Sequence, residues 1–230
     1  MGILELGAAL IVGSGQRLEV TATNIANSTT PGYKAQELFS AFLRSGDPAG
    51  VEDVVSTRTR LDAGSYRQTN NGSDLAVQGE GYFVLSNAGE TVYSRAGQFH
   101  RDADGRLVNA GGLAVQSSGG DITLRSDSFR VLGDGTVLDG EEPVARLDIV
   151  QFVDASTAER VGASFRSDPA NVMPVDNVRI ASGMIEESNV SMAHEFLAMM
   201  QAQRTAETGR HLVQTYDDLL GRALTTFGQS

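Results

Sequence analysis

The 230-residue sequence contains no cysteine and no tryptophan, and aromatic residues make up only 6% of it. Without cysteine the chain can form no disulfide, no thiolate metal site and no thiol nucleophile. Its apolar runs fall short of the roughly 18 residues that a membrane-spanning helix needs, so no membrane insertion is expected. The apolar stretch at residues 7–13 is short and follows Glu5, where a signal peptide carries positive charge, so no cleaved signal peptide is expected.

Positive charge is also scarce, and this limits the partners and the chemistry of the chain. The sequence has 29 acidic and 18 basic residues, a net charge of −11, which argues against a nucleic-acid partner. The three histidines, His100, His194 and His211, are scattered, and there is no phosphate-binding lysine motif or G-x-S-x-G nucleophile motif. The sequence therefore predicts no enzyme activity, no cofactor and no metal.

Apolar or small residues recur at both ends of the chain with a mean spacing of 3.5 residues, the coiled-coil period. The N-terminal row consists of Leu4, Ala8, Ile11, Gly15, Leu18, Ala22 and Ile25. The C-terminal row consists of Met192, Phe196, Met199, Ala202, Ala206, Gly209, Val213, Tyr216, Leu220, Ala223 and Phe227. These rows predict a helix at each end, and Ser191 is a suitable N-cap for the second helix.

Between the helices, strand-like runs such as YFVL, TVYS and RLVN alternate with glycine-containing turns every eight to twelve residues. The predicted fold class is α+β, with N- and C-terminal coiled-coil-type helices flanking a central antiparallel β domain, and with an extended connector. The predicted bounds are 1–35 for the first helix and its turn, 36–69 for the connector, 70–182 for the β domain and 183–230 for the second helix.

The end of the first helix has an unusual polar sequence, NIANSTTPGYK. Asn24 and Asn27 are interpreted as capping residues, and Pro31-Gly32 as a type II turn with glycine at positive φ. Three glycines inside the helix weaken it by roughly 1 kcal/mol each relative to alanine. Two alternatives follow: the terminal helices order only on a partner surface, or they pair with each other in a stable monomer.

Four stretches resemble the flagellar axial proteins, the family of rod and hook subunits of bacteria. They are NIANSTTPGYKA (24–35), DLAVQGEGYFVL (74–85), SRAGQFHRDADGRLVNAGG (94–112) and SGMIEESNVSMAHEFLAMMQAQRTAE (182–207). They occur in the order that the family has and cover most of the chain. The length and the single β domain resemble the proximal rod member, with the distal rod member as the alternative.

The resemblance implies a structural subunit of the basal-body rod, located in the periplasm and exported by the type III apparatus. Its partners would be copies of itself, other rod subunits and, during secretion, the export apparatus. Its terminal helices would pack around a central channel while the β domain lies outside. A second reading is a non-flagellar β-domain binding protein with helical oligomerisation ends.

The residues expected to make intersubunit contacts lie in the two helices and in the signature sequences beside them. They are Leu4, Ile11, Leu18, Asn24, Ile25, Asn27, Pro31, Gly32, Tyr33, Ser188, Asn189, Gln203, Arg204, Glu207, Val213 and Leu220.

Overall fold

The computed structural model describes residues 2–44, 51–87, 89–126 and 128–227, and these residues form two compact units. The helical unit comprises residues up to Asn27, Gln36–Arg60 and the residues from Val190 onward. The β unit comprises Ser28–Ala35 and Leu61–Asn189. Both terminal helices and the antiparallel β domain are present, so the predicted α+β class is confirmed.

The helical unit contains two helices and one hairpin. Helix α1 spans Ile3–Ala26 and helix α2 spans Met192–Phe227, beginning directly after the predicted N-cap Ser191. Strands β1 (Gln36–Arg44) and β2 (Val51–Thr59) pair antiparallel along their whole length, within the predicted connector. The end of α1 lies beside the start of α2, and Gly7 lies beside Gly209, so the helices run antiparallel.

The β unit contains short strands joined by tight turns, and all the strand pairs described in it are antiparallel. Its first strands are β3 (Tyr66–Gln68), β4 (Leu75–Val77), β5 (Tyr82–Asn87), β6 (Glu90–Ser94), β7 (Phe99–Arg101), β8 (Leu107–Asn109), β9 (Ala114–Ser117) and β10 (Gly120–Asp121). The others are β11 (Phe129–Val131), β12 (Thr136–Asp139), β13 (Glu142–Arg146), β14 (Ile149–Phe152), β15 (Glu159–Val161), β16 (Ser164–Arg166), β17 (Val172–Pro174), β18 (Ile180–Ser182) and β19 (Met184–Glu186).

The largest sheet has the order β15-β16-β6-β5-β9-β8-β7, with β10 beside β9, β14 beside β5, and β17 beside β14. Smaller sheets pair β11-β12-β13, β18-β4 and β19-β3. The last pairing joins a strand that precedes residue 70 to one that follows residue 182, so the β unit extends beyond the predicted bounds 70–182 at both ends.

Two hydrophobic clusters fill the β unit. The larger one contains Leu75, Phe83, Leu85, Leu107, Val115 and other buried apolar residues from most of its strands. The smaller one is aromatic and contains Tyr82, Tyr93 and Phe165, against which Phe152 packs with ring centroids 4.8–6.0 Å apart. All residues of both clusters belong to the β unit.

Candidate functional site

Helix α1 contacts α2 through small and polar residues rather than through its apolar row. The buried residues of α1 are Gly7, Ser14, Thr21 and Asn24. A Cβ on Gly209 would lie only 2.8 Å from the Gly7 carbonyl oxygen, so the helix backbones approach closely at this point. The distance between two packed helices depends on the side chains at their contact, and here glycines allow a short one.

The apolar row of α1 is therefore not the face that packs against α2. Leu4 and Ile11 are exposed, with 45% and 41% of their surfaces accessible, and Leu18 and Ile25 are half-buried. Periodicity located the helix correctly, but it could not tell that the buried row consists of small and polar residues. The apolar side chains remain available at the surface.

The predicted C-terminal row agrees with the buried side of α2 in the middle of that helix. Ala202 and Gly209 are buried, and Met199, Ala206, Val213 and Tyr216 are half-buried. Met192, Phe196, Leu220 and Ala223 are exposed, while the side chain of Phe227 lies outside the described residues. The middle of the row faces inward, and both of its ends remain open.

Helix α2 extends past the beginning of α1. Helix α2 has 36 residues and α1 has 24. At 1.5 Å per residue, their lengths are about 54 Å and about 36 Å. Because Gly7 lies beside Gly209, the last turns of α2 lie beyond the first turn of α1. There Leu219, Leu220 and Leu224 expose 56%, 46% and 73% of their surfaces.

The exposed apolar side chains of the two helices form what we call the open apolar surface. It comprises Ile3, Leu4, Leu6, Ile11 and Val12 on α1, and Met192, Phe196, Leu197, Met200, Leu219, Leu220 and Leu224 on α2. Exposure of twelve large apolar side chains on two helices is typical of an interaction surface. Gln203, Arg204 and Glu207 of the predicted set are also exposed on α2.

Asn24 has a different role from the predicted cap. Its side-chain Oδ1 accepts a hydrogen bond from the Gln36 amide at 2.9 Å, and its Nδ2 donates to the Gln36 carbonyl at 2.8 Å. The same Nδ2 donates to the Glu195 carboxylate at 3.0 Å. Asn24 thus joins the end of α1 to the first residue of β1 and to the first turns of α2.

Asn27 is the C-cap of α1, as predicted, and its Nδ2 donates to the Thr23 carbonyl at 2.9 Å. The chain then enters a four-residue turn, in which the Tyr33 amide donates to the Thr30 carbonyl. Gly32 has φ +69°, as the third position of a type II turn requires. A Cβ on Gly32 would overlap the backbone of Arg95 and Ala96, which is a second reason for glycine here.

After the turn, Tyr33 and Lys34 are buried within the β unit, with 1% and 0% of their surfaces exposed. The Arg160 guanidinium lies 4.6 Å from the centre of the Tyr33 ring and donates to the Lys34 carbonyl. Burial lowers the pKa of Lys34, and the hydrogen bond and charge of Glu186 oppose that shift. Burial likewise lowers the pKa of Arg160.

Glu186 lies in the segment that leads to α2, and it accepts hydrogen bonds from the turn and from Lys34. Its Oε1 accepts from Lys34 Nζ at 2.6 Å and from the Gly64 amide at 3.0 Å, and its backbone carbonyl accepts from the Gly32 amide at 2.8 Å. Its Oε2 lies 3.4 Å from Arg95 Nη1. The Arg95 guanidinium also donates to the Val77 and Gly79 carbonyls.

Asn189, three residues further on, makes a second set of bonds. Its Oδ1 accepts from the Ala35 amide at 2.6 Å, its Nδ2 donates to the Asp62 carbonyl at 3.0 Å, and its amide donates to the Tyr33 carbonyl at 3.3 Å. Lys34 Nζ also donates to the Asp62 carbonyl, at 2.6 Å. We call Lys34, Glu186 and Asn189 the clasp.

The sequence-based selection of site residues includes Asn189 but omits Lys34, Glu186 and Arg95. Lys34 is the only lysine of the chain, and Glu186 lies beside a second glutamate, Glu187. Neither pattern indicates a buried ion pair, because the partners are separated by 152 positions. Of the other predicted residues, Pro31 and Ser188 are half-buried.

Within the described ranges no helix is long and apolar enough to cross a membrane. In the same part of the chain, His, Asp and Glu side chains nowhere gather in groups of three that could hold a metal ion.

Three family models match the chain in order. Residues 15–34 match "Flagella basal body rod protein", residues 76–138 match "Flagellar hook protein FlgE/F/G D1 domain", and residues 181–226 match "Flagellar basal body rod FlgEFG protein C-terminal". The first match contains Asn24 and the turn at residues 30–33, and the last contains Glu186, Asn189 and most of α2.

Curated relatives match along nearly the whole chain. Flagellar basal-body rod protein FlgG of Bacillus subtilis is 28% identical, over 89% of this chain and 90% of its own. FlgF of Caulobacter vibrioides is 29% identical, over 93% of both chains. FlgG of the same organism is 28% identical, over 96% of this chain and 97% of its own. The chain therefore contains, in order, the domains of the FlgE/F/G flagellar rod and hook proteins.

Proposed function

We propose that the protein is a structural subunit of the flagellar basal-body rod that polymerises through the open apolar surface of its helices. The observation that carries this proposal is the succession of three rod and hook family matches, which fall on α1 and its turn, on the β unit and on α2. A non-flagellar binding protein with helical ends would not require the rod signatures at both ends of the chain.

The geometry of the helix pair supports polymerisation. Antiparallel pairing covers one side of each helix but leaves apolar side chains exposed, and the last turns of α2 have no α1 residues beside them. Heterologous contacts between unlike surfaces extend a helical assembly instead of closing a dimer. The exposed Leu4, Ile11 and Leu220 are the members of the predicted set best placed for such contacts. Asn24 and Tyr33 expose only 1% of their surfaces, and we assign them an indirect part.

Within the rod, we assign the chain to the FlgF type, the proximal rod subunit, with FlgG, the distal rod subunit, as the alternative. The alignment with Caulobacter FlgF extends over 227 residues, whereas that with Caulobacter FlgG extends over 255. A chain of 230 residues therefore aligns with the FlgF sequence with fewer gaps.

The same proposal places the subunit in the periplasmic part of the basal body, where it would transmit torque from motor to hook without enzymatic activity. Its partners would be copies of itself and other rod proteins, and it would reach them through the type III export apparatus without a cleaved signal peptide.

Substitution of Leu220 by glutamate tests the role of the open apolar surface. Leu220 lies in the part of α2 beyond α1 and exposes 46% of its surface, so Leu220→Glu should leave helix content and melting temperature unchanged. The variant is expressed in cells from which the parent gene has been deleted, and we expect it to be absent from the basal bodies purified from those cells. Gln214→Glu, an exposed change of the same charge on the same helix, is the control and should be incorporated. Normal incorporation of Leu220→Glu, or a closed dimer of the parent chain with no affinity for rod proteins, would contradict the proposal.

A further inference from the structure

The chain passes between the helical unit and the β unit four times, after residues 27, 35, 60 and 189. Four covalent passages offer four places where the backbone can bend. The segments on the β side of the last three passages are the ones that the clasp residues bind. Ala35, Asp62 and Asn189 each lie within two residues of a passage.

Glu186 and Asn189, which lie just before α2, both bind the turn after α1 and the segment that follows residue 60. Glu186 binds the turn through Gly32 and Lys34, and it binds the segment after residue 60 through Gly64. Asn189 binds the same two segments through Ala35 and Asp62. Three segments, residues 32–35, 62–64 and 186–189, are thus bonded to one another at two points. One point is Glu186 and the other is Asn189, three residues further along the chain.

The charges make Glu186 the central residue of this arrangement. Its carboxylate is the partner of two buried cations, Lys34 and Arg95, whose side chains expose 0% and 4% of their surfaces. Removing the negative charge leaves Lys34 and Arg95 buried without the carboxylate that pairs with both, whereas removing Lys34 leaves Glu186 paired with Arg95. Breaking a buried pair by removing one partner is strongly destabilising at that place.

The clasp borders the smaller, aromatic cluster but supplies none of the strand pairs of the main sheet. Lys34, Glu186 and Asn189 belong to neither cluster, although Arg95 lies 5.2 Å from the Tyr82 ring. The strands of the main sheet pair without any of these three residues. A defect in the clasp should therefore loosen the chain passages without unfolding the sheet.

We propose that Glu186 and Asn189 are positioning residues that hold three of the four chain passages together on their β side, so that the backbone bends less where it leaves the β unit. The role rests on the proposed function, because a subunit that transmits torque must not twist freely at its passages. The clasp itself is a property of the single chain and can be measured without a rod.

The test uses the full-length parent chain and the variants Glu186→Gln, Asn189→Ala and Glu187→Gln. Glu187 is the matched control, since it is the neighbouring glutamate but its side chain is 41% exposed and pairs with the surface groups Ser65 and Arg67. Amide hydrogen exchange reports the clasp directly at Gly32, Ala35 and Gly64. Because the chain has no cysteine, spin labels at Asp104→Cys and Arg210→Cys report the spread of distances between the two units.

In Glu186→Gln we expect the Gly64 amide, which donates to the carboxylate, to exchange roughly tenfold to a hundredfold faster. The Gly32 amide, which donates to the Glu186 backbone carbonyl, should also exchange faster as the clasp loosens. The distance distribution should broaden, while Phe83 and Leu85 in the main sheet exchange at the parent rate. Asn189→Ala leaves no buried charge unpaired, and it should affect Ala35 in the same way even if Glu186→Gln does not fold.

Exchange rates and distance spreads equal to those of Glu187→Gln would overturn the inference. Faster exchange throughout the main sheet would also overturn it, because the residues would then belong to the core. Both results would be obtained on dilute protein, so they would leave the incorporation test of the proposed function unaffected.

Discussion

At the scale of single residues, the polar side chains at the end of α1 and just after the turn make their contacts within the chain. The Asn24 side chain hydrogen-bonds the backbone amide and carbonyl of Gln36, and Lys34 is the buried partner of Glu186. The sequence indicated that Asn24 and Tyr33 matter, because they lie in a recognisable signature, but it suggested a cap and an exposed contact. The partners could not be predicted, since Glu195 and Glu186 lie more than 150 positions away.

Replacing Asn24 by alanine should destabilise the helical unit. The change removes the bonds to both backbone groups of Gln36 and to the Glu195 carboxylate, and buried groups left without partners destabilise by about 1–3 kcal/mol. Chemical unfolding followed by far-ultraviolet circular dichroism measures the loss. Thr23→Ala is the control, because Thr23 is exposed and adjacent, and it should change stability by less than about 0.5 kcal/mol. Equal stability of the two variants would refute the assigned role.

Asp134 should make the stability of the β unit depend on pH. Hydrogen bonds from the Thr136 amide and hydroxyl, both 3.0 Å, lower the pKa of Asp134 below its usual 3.8. The unfolded state therefore binds more protons between the two pKa values. The stabilisation is present above pH 3.8 and is lost as the pH falls through the folded pKa.

Asp134→Ala should accordingly melt at a lower temperature than the parent at pH 7, and the difference should shrink as the pH falls below 3.8. Calorimetry of both proteins across this range is the measurement. A difference that stays constant down to the lowest pH would show that the ionised carboxylate is not what stabilises the turn.

At the scale of elements, the 3.5-residue period predicted both helices. Its apolar row coincides with the buried face in the middle of α2 but not in α1. A period of 3.5 residues identifies a helix whatever its apolar face touches, so the row of α1 could equally face α2 or a neighbouring subunit. The hairpin β1–β2 was missed because QELFSAFLR places its apolar residues in adjacent pairs and lacks the alternation of a half-buried strand. The strands of the β unit were recognisable because glycine turns separate them.

Two glycines of α2 should respond oppositely to alanine. Gly221→Ala has open space around the new Cβ and should stabilise the helix by about 1 kcal/mol. Gly209→Ala gains the same propensity, but its Cβ would lie 2.8 Å from the Gly7 carbonyl oxygen, which is backbone and cannot move aside easily. We expect the helix pair to melt at a lower temperature in this variant, as followed by circular dichroism. Similar stabilisation by both changes would mean that α1 and α2 do not pack at Gly7.

At the scale of the whole molecule, four motifs in order were enough to predict the family and the rod function. Length and a single β domain favoured a rod subunit over the longer hook subunit. Relatives of the FlgF and FlgG types match at nearly the same identity, 29% and 28%, so identity alone does not separate the two types. What the sequence could not provide is the arrangement that leaves Leu4, Ile11 and Leu220 exposed while glycines and polar residues pair the helices.

Whether the terminal helices are stable before assembly stays a prediction. Pairing of α1 with α2 corresponds to one of the two alternatives drawn from the sequence, and interior glycines together with exposed leucines keep that pair weak. We expect the helices to exchange faster than the main sheet in the free chain.

Hydrogen exchange compared between the dilute protein and purified basal bodies tests the central claim most directly. The account predicts that peptides from 3–26 and 192–227 become strongly protected in the rod, while peptides from the main sheet are protected equally in both states. Unchanged exchange of both helices on assembly, with new protection confined to the β unit, would contradict the claim that the helices build the rod.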